Sequence, residues 1–551
     1  MKRFVLILLA VALVAGCGGA SKGDVADGIR AMASLDSVPP FAEGIPWETL
    51  RGIYADRDYE ALWVDGERPT SRARALVSAI AKADAEGLRM RDYPLTALRD
   101  ALLRAYEHDD TRASELADVD LRLTALYLAY GSDMLIGRLD PELVDGRWHI
   151  DRRSAEADSV LREAVQDDDF DEMLDRFRPR HQQYTLLLAE LNRLRVLADS
   201  GGWAALGGGA IRPSHTGERV AALRQRLVAA GDLDAGDAEE DRFDDDLVAA
   251  VASYRERHNL PAGKGVDAEM LRELDVPVEE RILQVEINLD RMRWLPPAFQ
   301  DRYVVVNIPD FRLFAFDGGE EVLTMRVVVG EEYQGATPVF ADTLSSVVFR
   351  PEWNVPRSIL VNEIIPKVQD REEWLAANNY EVLDKDGAVV DPDDVDWDAD
   401  SADFEWRVRQ QPGAGNALGG VKFLFPNRFS IYMHDTPTQS TFEASQRAAS
   451  HGCIRLQHPV QFAEYVLGPS GEWDATRIRE AMAAEASTTV KVEPTVPVFI
   501  LYLTAFERDG KIQFRKDVYG NDRKALRALS TPDNSDTLEQ VSSALEQLMQ
   551  A

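Results

Sequence analysis

The sequence predicts a multidomain α+β protein: a helical scaffold, a small three-helix module, and a mostly antiparallel β domain with an inserted lid. Three observations predict it. Between about 25 and 200, apolar residues recur every three or four positions, the period of a helix face. A glycine-rich break, "GGWAALGGGAIRPSHTGE", follows at 201–218. Beyond about 300 the period shortens to two, in β-branched and aromatic runs that flank Asp-Gly turns. A chain of 551 residues has room for about three domains.

The chain opens MKRFVLILLAVALVAGCGG. Lys2 and Arg3 precede an apolar run, Phe4 to Val14, that is too short to cross a bilayer as a helix, which takes about 20 residues. The run fits the core of a secretory signal. Val14-Ala15-Gly16-Cys17 resembles a bacterial lipobox, which implies a signal over 1–17 and a lipid on Cys17. No aspartate follows Cys17, and by the same resemblance this favours attachment to the outer membrane, facing the periplasm.

Residues 18–210 read as the helical scaffold. Leu116, Val119, Leu123, Leu126 and Tyr130 form one apolar stripe, and Tyr184, Leu187, Leu191 and Leu194 form another. "DRDYEALWVDG" at 56–66 reads as a turn leading into a helix cap. No catalytic grouping stands out in this part.

Residues 211–277 read as three helices. Val220, Leu223 and Leu227 mark the first; Phe243, Leu247, Val251 and Tyr254 mark the second; "HNLPAGKGVDAEMLREL" gives a turn and the third. The order resembles the peptidoglycan-binding type 1 module, with Tyr254-Arg255 where that family usually has Phe-Gln.

The β domain spans 278–522. After a helix over 279–292, "YVVVNIPDFRLFAF" and "VLTMRVVVG" surround an Asp317-Gly318-Gly319 turn, the signature of a hairpin. A second hairpin turns at Asp509-Gly510. Between them, about 359–412 lacks strand periodicity. It holds tryptophans within an acidic run, "DPDDVDWDADSADFEW", and reads as an ordered lid. Residues 523–551 form a polar tail with one short amphipathic helix, Leu538 to Met549.

The net charge of −33 argues against nucleic acid, whose binding uses clustered Lys and Arg. It also offers no polybasic surface for anionic lipid, which leaves the lipid on Cys17 as the membrane attachment. Acidic clusters such as Asp167-Asp168-Asp169 read as solvated faces, since none has EF-hand spacing.

The chain has two cysteines. With Cys17 lipidated, Cys453 is the only thiol left, and a lone cysteine in an exported protein is a candidate reactive thiol. Three of the eight histidines, His434, His451 and His458, lie within 25 residues around it. A thiol attacks as the thiolate, and a neighbouring imidazolium lowers its pKa from about 8.5. His451 or His434 can supply that partner, and spacing does not decide between them. On an extended strand 451 and 453 face one side, which brings His451 to the sulfur. Arg455 shares that side and can pair with a substrate carboxylate. Gly452 allows a tight turn, and the amides of Gly452 and Cys453 become candidate oxyanion donors. A zinc site of two histidines and a cysteine is the competing reading. It lacks a second nearby cysteine or a carboxylate pattern, and a metal would consume the nucleophile.

"HDTPTQSTFEASQRAASHGCIRL" resembles the signature of L,D-transpeptidase (YkuD-type) catalytic domains: a histidine, a variable stretch, then S-H-G-C-x-R. "YVVVNIPDFRLFAF", "WNVPRSI", "RQQPGAGNALGGVKFLFPN" and "YMHDTP" resemble the large subfamily with a helical scaffold, a peptidoglycan-binding module and a lid. The resemblance implies Cys453 as nucleophile, His451 as its base and His434 as a further site residue. It implies that Ser450 and Gly452 shape the pocket, and that Asn416 and Lys422 border it with Arg455. His458 reads as structural. The implied reaction joins a donor tetrapeptide stem of peptidoglycan to an acceptor stem through a cysteine thioester, giving a 3→3 cross-link. It needs no metal or nucleotide. An L,D-carboxypeptidase or amidase is the alternative enzyme, and a wall-binding scaffold lipoprotein the non-enzyme one.

Overall fold

The computed structural model describes residues 21–529, apart from 43, 67, 108–111, 151–153, 168, 238–239, 372 and 400–403. Cys17 with its signal and the tail helix expected at Leu538–Met549 lie outside the described residues. The chain divides into two compact units. One holds residues up to Arg138 together with Arg153–Arg178; the other holds Leu139–Arg152 and Pro179–Leu529.

The first unit is helical. Its axis is the long helix Arg112–Ile136, and all five residues of the stripe read from the sequence are buried in it. Helices Lys22–Ala33, Trp47–Ala55, Ser71–Ala81, Leu95–Glu107 and Ser154–Ala164 accompany it. Ser21 caps the first of these, its hydroxyl accepting the Asp24 N–H while the Asp24 carboxylate returns to the Ser21 N–H.

The stretch expected to lead into a helix cap instead enters a hairpin, Val64–Asp65 against Arg68–Pro69. A buried acid explains the difference. Asp120, fully enclosed on the long helix, accepts the N–H groups of Leu62 (3.0 Å), Trp63 (2.7 Å) and Val64 (2.9 Å). It also accepts the Tyr54 hydroxyl at 2.6 Å. One side chain thus takes up the donors that a helix start would have placed on the cap.

In the second unit, helices Glu218–Ala230, Asp245–Arg257 and Ala268–Leu274 enclose one small core. Val220, Leu223, Leu227, Leu247, Val251 and Tyr254 are all in it. Arg255, at the position that departs from the module pattern, is 3% exposed. It donates to the carbonyls of Pro261 and Gly265 and to Asp267, and so ties the loop between the second and third helices.

The main sheet is built from β1 (Tyr303–Asn307), β2 (Arg312–Asp317), β3 (Glu320–Gly330) and β4 (Val339–Phe349). A small antiparallel sheet follows: β5 (Trp353–Asn354), β6 (Tyr380–Leu383), β7 (Val389–Val390) and β8 (Arg407–Gln410). The main sheet resumes with β9 (Val421–Leu424), β10 (Met433–His434), β11 (Ala448–Ser450), β12 (Ile454–Leu456) and β13 (Thr488–Leu501). Its order is β9-β10-β12-β3-β2-β1-β13-β4, and β4 also pairs with β9, so the sheet closes on itself. Most pairings are antiparallel; β10–β12, β1–β13 and β3–β11 are parallel. Trp148–His149, in a stretch the sequence reading kept within the helical scaffold, pairs with the start of β4. The helix Gln182–Asp199 likewise packs in this unit, against Val278–Arg293.

The lid is a small subdomain with its own sheet, although its sequence shows no strand periodicity. Ile364, Val368, Leu375, Val382, Phe404 and Val408 form its core. It is inserted between β4 and β9, where Phe349 pairs with Val421. Its two ends therefore leave the sheet side by side, and a long insertion there closes at little entropic cost.

Asp120→Ala leaves three buried N–H groups without an acceptor and should destabilise the helical unit by about 3 kcal/mol or more. Urea unfolding of the full chain checks this; a loss below about 1 kcal/mol would mean that water replaces the carboxylate.

Candidate active site

The site forms where three short strands meet. β9 is antiparallel to β10, with Lys422 opposite His434; β10 is parallel to β12, with His434 opposite Arg455. Paired residues point to one side of a sheet. Lys422, His434 and Arg455 therefore stand in a row. Alternation sends Val421, Phe423, Met433, Ile454 and Leu456 to the other side, and all five are buried in the core. Tyr432 and Cys453, each two residues before a member of the row, come up on the same side as the row. The rings of Tyr432 and His434 lie 5.7 Å apart.

Ser450-His451-Gly452-Cys453 connects β11 to β12 and is braced throughout. The buried Ser450 hydroxyl donates to the Cys453 carbonyl at 2.6 Å and accepts the Gly452 N–H at 3.2 Å. Thr337 donates to the Gly452 carbonyl and accepts the Gly330 N–H, both at 2.8 Å. Gly452 has φ +114°, and a Cβ on Gly330 would stand 2.9 Å from the Gly452 Cα. The loop backbone lies directly on the end of β3, and only glycine fits at both positions.

This turn undoes one expectation. His451 and Cys453 share a side only on an extended strand, and the positive φ of Gly452 breaks that alternation. The His451 Nε2 lies 2.7 Å from Glu363 Oε1, on the lid. The groups that act on the thiol are instead Tyr432 and Arg455. Both favour the thiolate, Tyr432 as a hydrogen-bonding neighbour and Arg455 by its charge. The thiol faces the Ser430 carbonyl at 3.9 Å.

The ionisation expected of Cys453 is also reversed. Burial pushes the thiol up, outweighing the Tyr432 donors and the Arg455 charge. His434 is 5% exposed and held down to about 3, by burial first and then by Arg455 and Lys422. It is neutral at physiological pH. Its Nδ1 lies 2.5 Å from the Asp435 carbonyl, which accepts the Nδ1 proton and leaves the lone pair on Nε2.

A profile for the L,D-transpeptidase catalytic domain (YkuD) matches residues 301–498, the segment that contains this row, the loop and the lid. The chain carries an L,D-transpeptidase catalytic domain. A profile described as a scaffold domain matches residues 48–191. A Haemophilus influenzae protein, whose own assignment as an L,D-transpeptidase is provisional, is 36% identical over 247 residues, 45% of this chain and 50% of that one. The chain thus spans about half the length of this curated relative. The solved L,D-transpeptidase of Xylanimonas cellulosilytica aligns over 54% of this chain and 98% of its own at 13% identity, with a TM-score of 0.17. That score is too low to bear on the geometry.

Within the L,D-transpeptidase domain, the structure brings together Cys453, His434, Lys422 and Arg455, and braces them with Ser450 and Gly452. Two expectations change. The Gly452 N–H is already bonded to Ser450, so of the two expected oxyanion donors only the Cys453 amide has no acceptor among the described residues. Asn416 is 1% exposed, and its amide is spent on backbone: it donates to the carbonyls of Gln410 and Gln411 and accepts the Leu418 N–H. It shapes the approach to β9 and does not face a ligand. His458 is exposed, at the start of the helix Pro459–Leu467. Tyr432 and Glu363 went unread in the sequence. Tyr432 was within reach of it, because a residue two before His434 must share its strand face.

The raised thiol makes a prediction. Alkylation of Cys453 by iodoacetamide should accelerate with pH through and above the ordinary thiol midpoint of about 8.5. A stopped-flow pH profile checks this, and a plateau already reached below about pH 7 would reveal a thiolate–imidazolium pair.

Proposed function

We propose that this protein is an L,D-transpeptidase that cross-links peptidoglycan stem peptides through a thioester on Cys453. One observation carries the reading: the register of β9, β10 and β12 sets Cys453 and Tyr432 beside the row Lys422–His434–Arg455, beneath a lid. The Cys453 sulfur attacks the carbonyl at the L-centre of a donor tetrapeptide. Its proton passes to the neutral Nε2 of His434. The Cys453 amide faces the developing oxyanion. The terminal D-alanine leaves with a proton, and an amine of a second stem resolves the thioester to give a 3→3 link.

Lys422 and Arg455 support the assignment of an anionic donor. Burial lowers the pKa of both, and neither has a carboxylate within 4 Å among the described residues. Such cations favour the carboxylates of a wall peptide. The lid favours transfer to an amine over hydrolysis by excluding water. The lipobox at Cys17 supports a lipid-anchored protein in the periplasm, and the three-helix module supports attachment to the wall.

Incubation with a carbapenem should add one covalent adduct, seen by intact-mass spectrometry, that disappears in Cys453→Ala. Purified tetrapeptide muropeptides should yield dimers. Trimmed monomers without dimers would replace the transpeptidase with an L,D-carboxypeptidase, and no adduct would leave only a wall-binding scaffold.

A further inference from the structure

The reaction above uses His434 at the thiol and leaves His451 without a part. His451 nevertheless has a partner from outside its own loop. Glu363 sits in the π-helical turn Leu360–Ile364 of the lid. Pro366 follows it and has no N–H to return to the Asn362 carbonyl, and the widened turn absorbs that loss. The turn places Glu363 Oε1 2.7 Å from His451 Nε2, with the two side chains 38% and 36% exposed. The same carboxylate acts on Arg455, beside the nucleophile. Its second oxygen is 3.7 Å from Lys367. A lid-borne carboxylate thus hangs over the sheet face that bears Cys453.

We infer that Glu363 is a positioning residue that sets His451 to accept the proton of the incoming amine when the thioester is resolved. The inference rests on the L,D-transpeptidase reading and concerns its second half-reaction. With Nε2–H turned to the carboxylate, the imidazole carries its lone pair on Nδ1. The acceptor nitrogen attacks the acyl carbon. The C–N bond forms, the C–S bond breaks, and its electron pair returns to the sulfur. The proton shed by the nitrogen passes to Nδ1 and leaves the imidazolium for solvent, and the sulfur takes up a proton from solvent, which restores the neutral thiol. Glu363 stabilises that transient imidazolium, as a buried carboxylate does for the histidine of a hydrolase triad. Since Glu363 belongs to the lid, the base is complete only where the lid lies on the site. Closure then does two things at once: it excludes water and prepares the amine's proton acceptor.

The test uses the full chain, a tetrapeptide donor and an amine-bearing acceptor, added in sequence and followed by intact-mass spectrometry. In Glu363→Ala, thioester formation on Cys453 should stay within about threefold of the parent protein. Its consumption by the acceptor should slow by about a hundredfold, so that the acyl-enzyme accumulates. The acceptor KM should hold while kcat falls. Added formate should restore part of the rate, a rescue that a merely structural loss would not show. Aminolysis that keeps pace with the parent, or acylation and aminolysis falling together without rescue, overturns the inference and leaves the transpeptidase reading intact. A parent protein that never acylates overturns both.

Discussion

The parallel pairing of β10 with β12 is the contact on which the site depends. Met433 faces Ile454 across it, and both are fully buried. A side chain of that size stabilises the fold by about 1.5–3 kcal/mol when taken out of water. A slip of one residue would turn these two to the surface and drive His434 and Arg455 into the core. The apolar side of the pair thus fixes the chemical side. That matters because the row does not assemble by attraction: two cations flank an imidazole that cannot charge between them. Packing on the far side of the sheet holds together groups that would otherwise separate.

The same arrangement decides the state of the thiol. Desolvation favours the neutral form, and the donors of Tyr432 with the charge of Arg455 favour the anion; the first prevails. A resting thiolate would attack sooner but would also oxidise sooner, since susceptibility follows thiolate character. For the exported protein proposed above, a lone cysteine in an oxidising compartment is safer protonated. The cost is that a base must act during the attack. His434 stays neutral over the physiological range and so keeps a lone pair to offer, while the burial that lowers its pKa also weakens it as a base.

The sequence carried much of this. Helical stripes such as Leu116–Tyr130 and the core of the three-helix module were legible because each element buries residues at its own period. The S-H-G-C-x-R block pointed to the loop between β11 and β12. What stayed hidden depended on contacts between distant segments. The strands of the lid are too short for alternation to show, and only their mutual pairing makes a sheet. The closure of β4 onto β9 joins residues about 70 positions apart. The relation of His451 to Cys453 turned on one dihedral at Gly452, which a strand-based reading takes as extended. Asn416 entered the expected site through the resemblance of its block to the family, whereas its burial and three backbone partners make it a brace. The donors of residues 62–64 were misread for the opposite reason: their acceptor, Asp120, lies far along the chain.

The charge of the whole chain and the charge of its site point in opposite directions, and distance settles which of them a substrate meets. The net charge is −33. Much of it lies on exposed acids, whose fields fade within a screening length of about 8 Å at physiological ionic strength. Lys422 and Arg455 act at contact distance and from half-buried positions, where screening is weaker. Burial lowers their pKa values, so an arriving carboxylate restores stabilisation that burial removed. Glu363 of the lid pairs with His451 on the loop that carries the thiol. A donor that presents a carboxylate to the sheet and an acceptor that presents an amine to the lid would each meet its complement. In the reaction proposed above, the two sheet cations and the lid carboxylate would give the site a direction, with donor and acceptor drawn to different sides of the same sulfur.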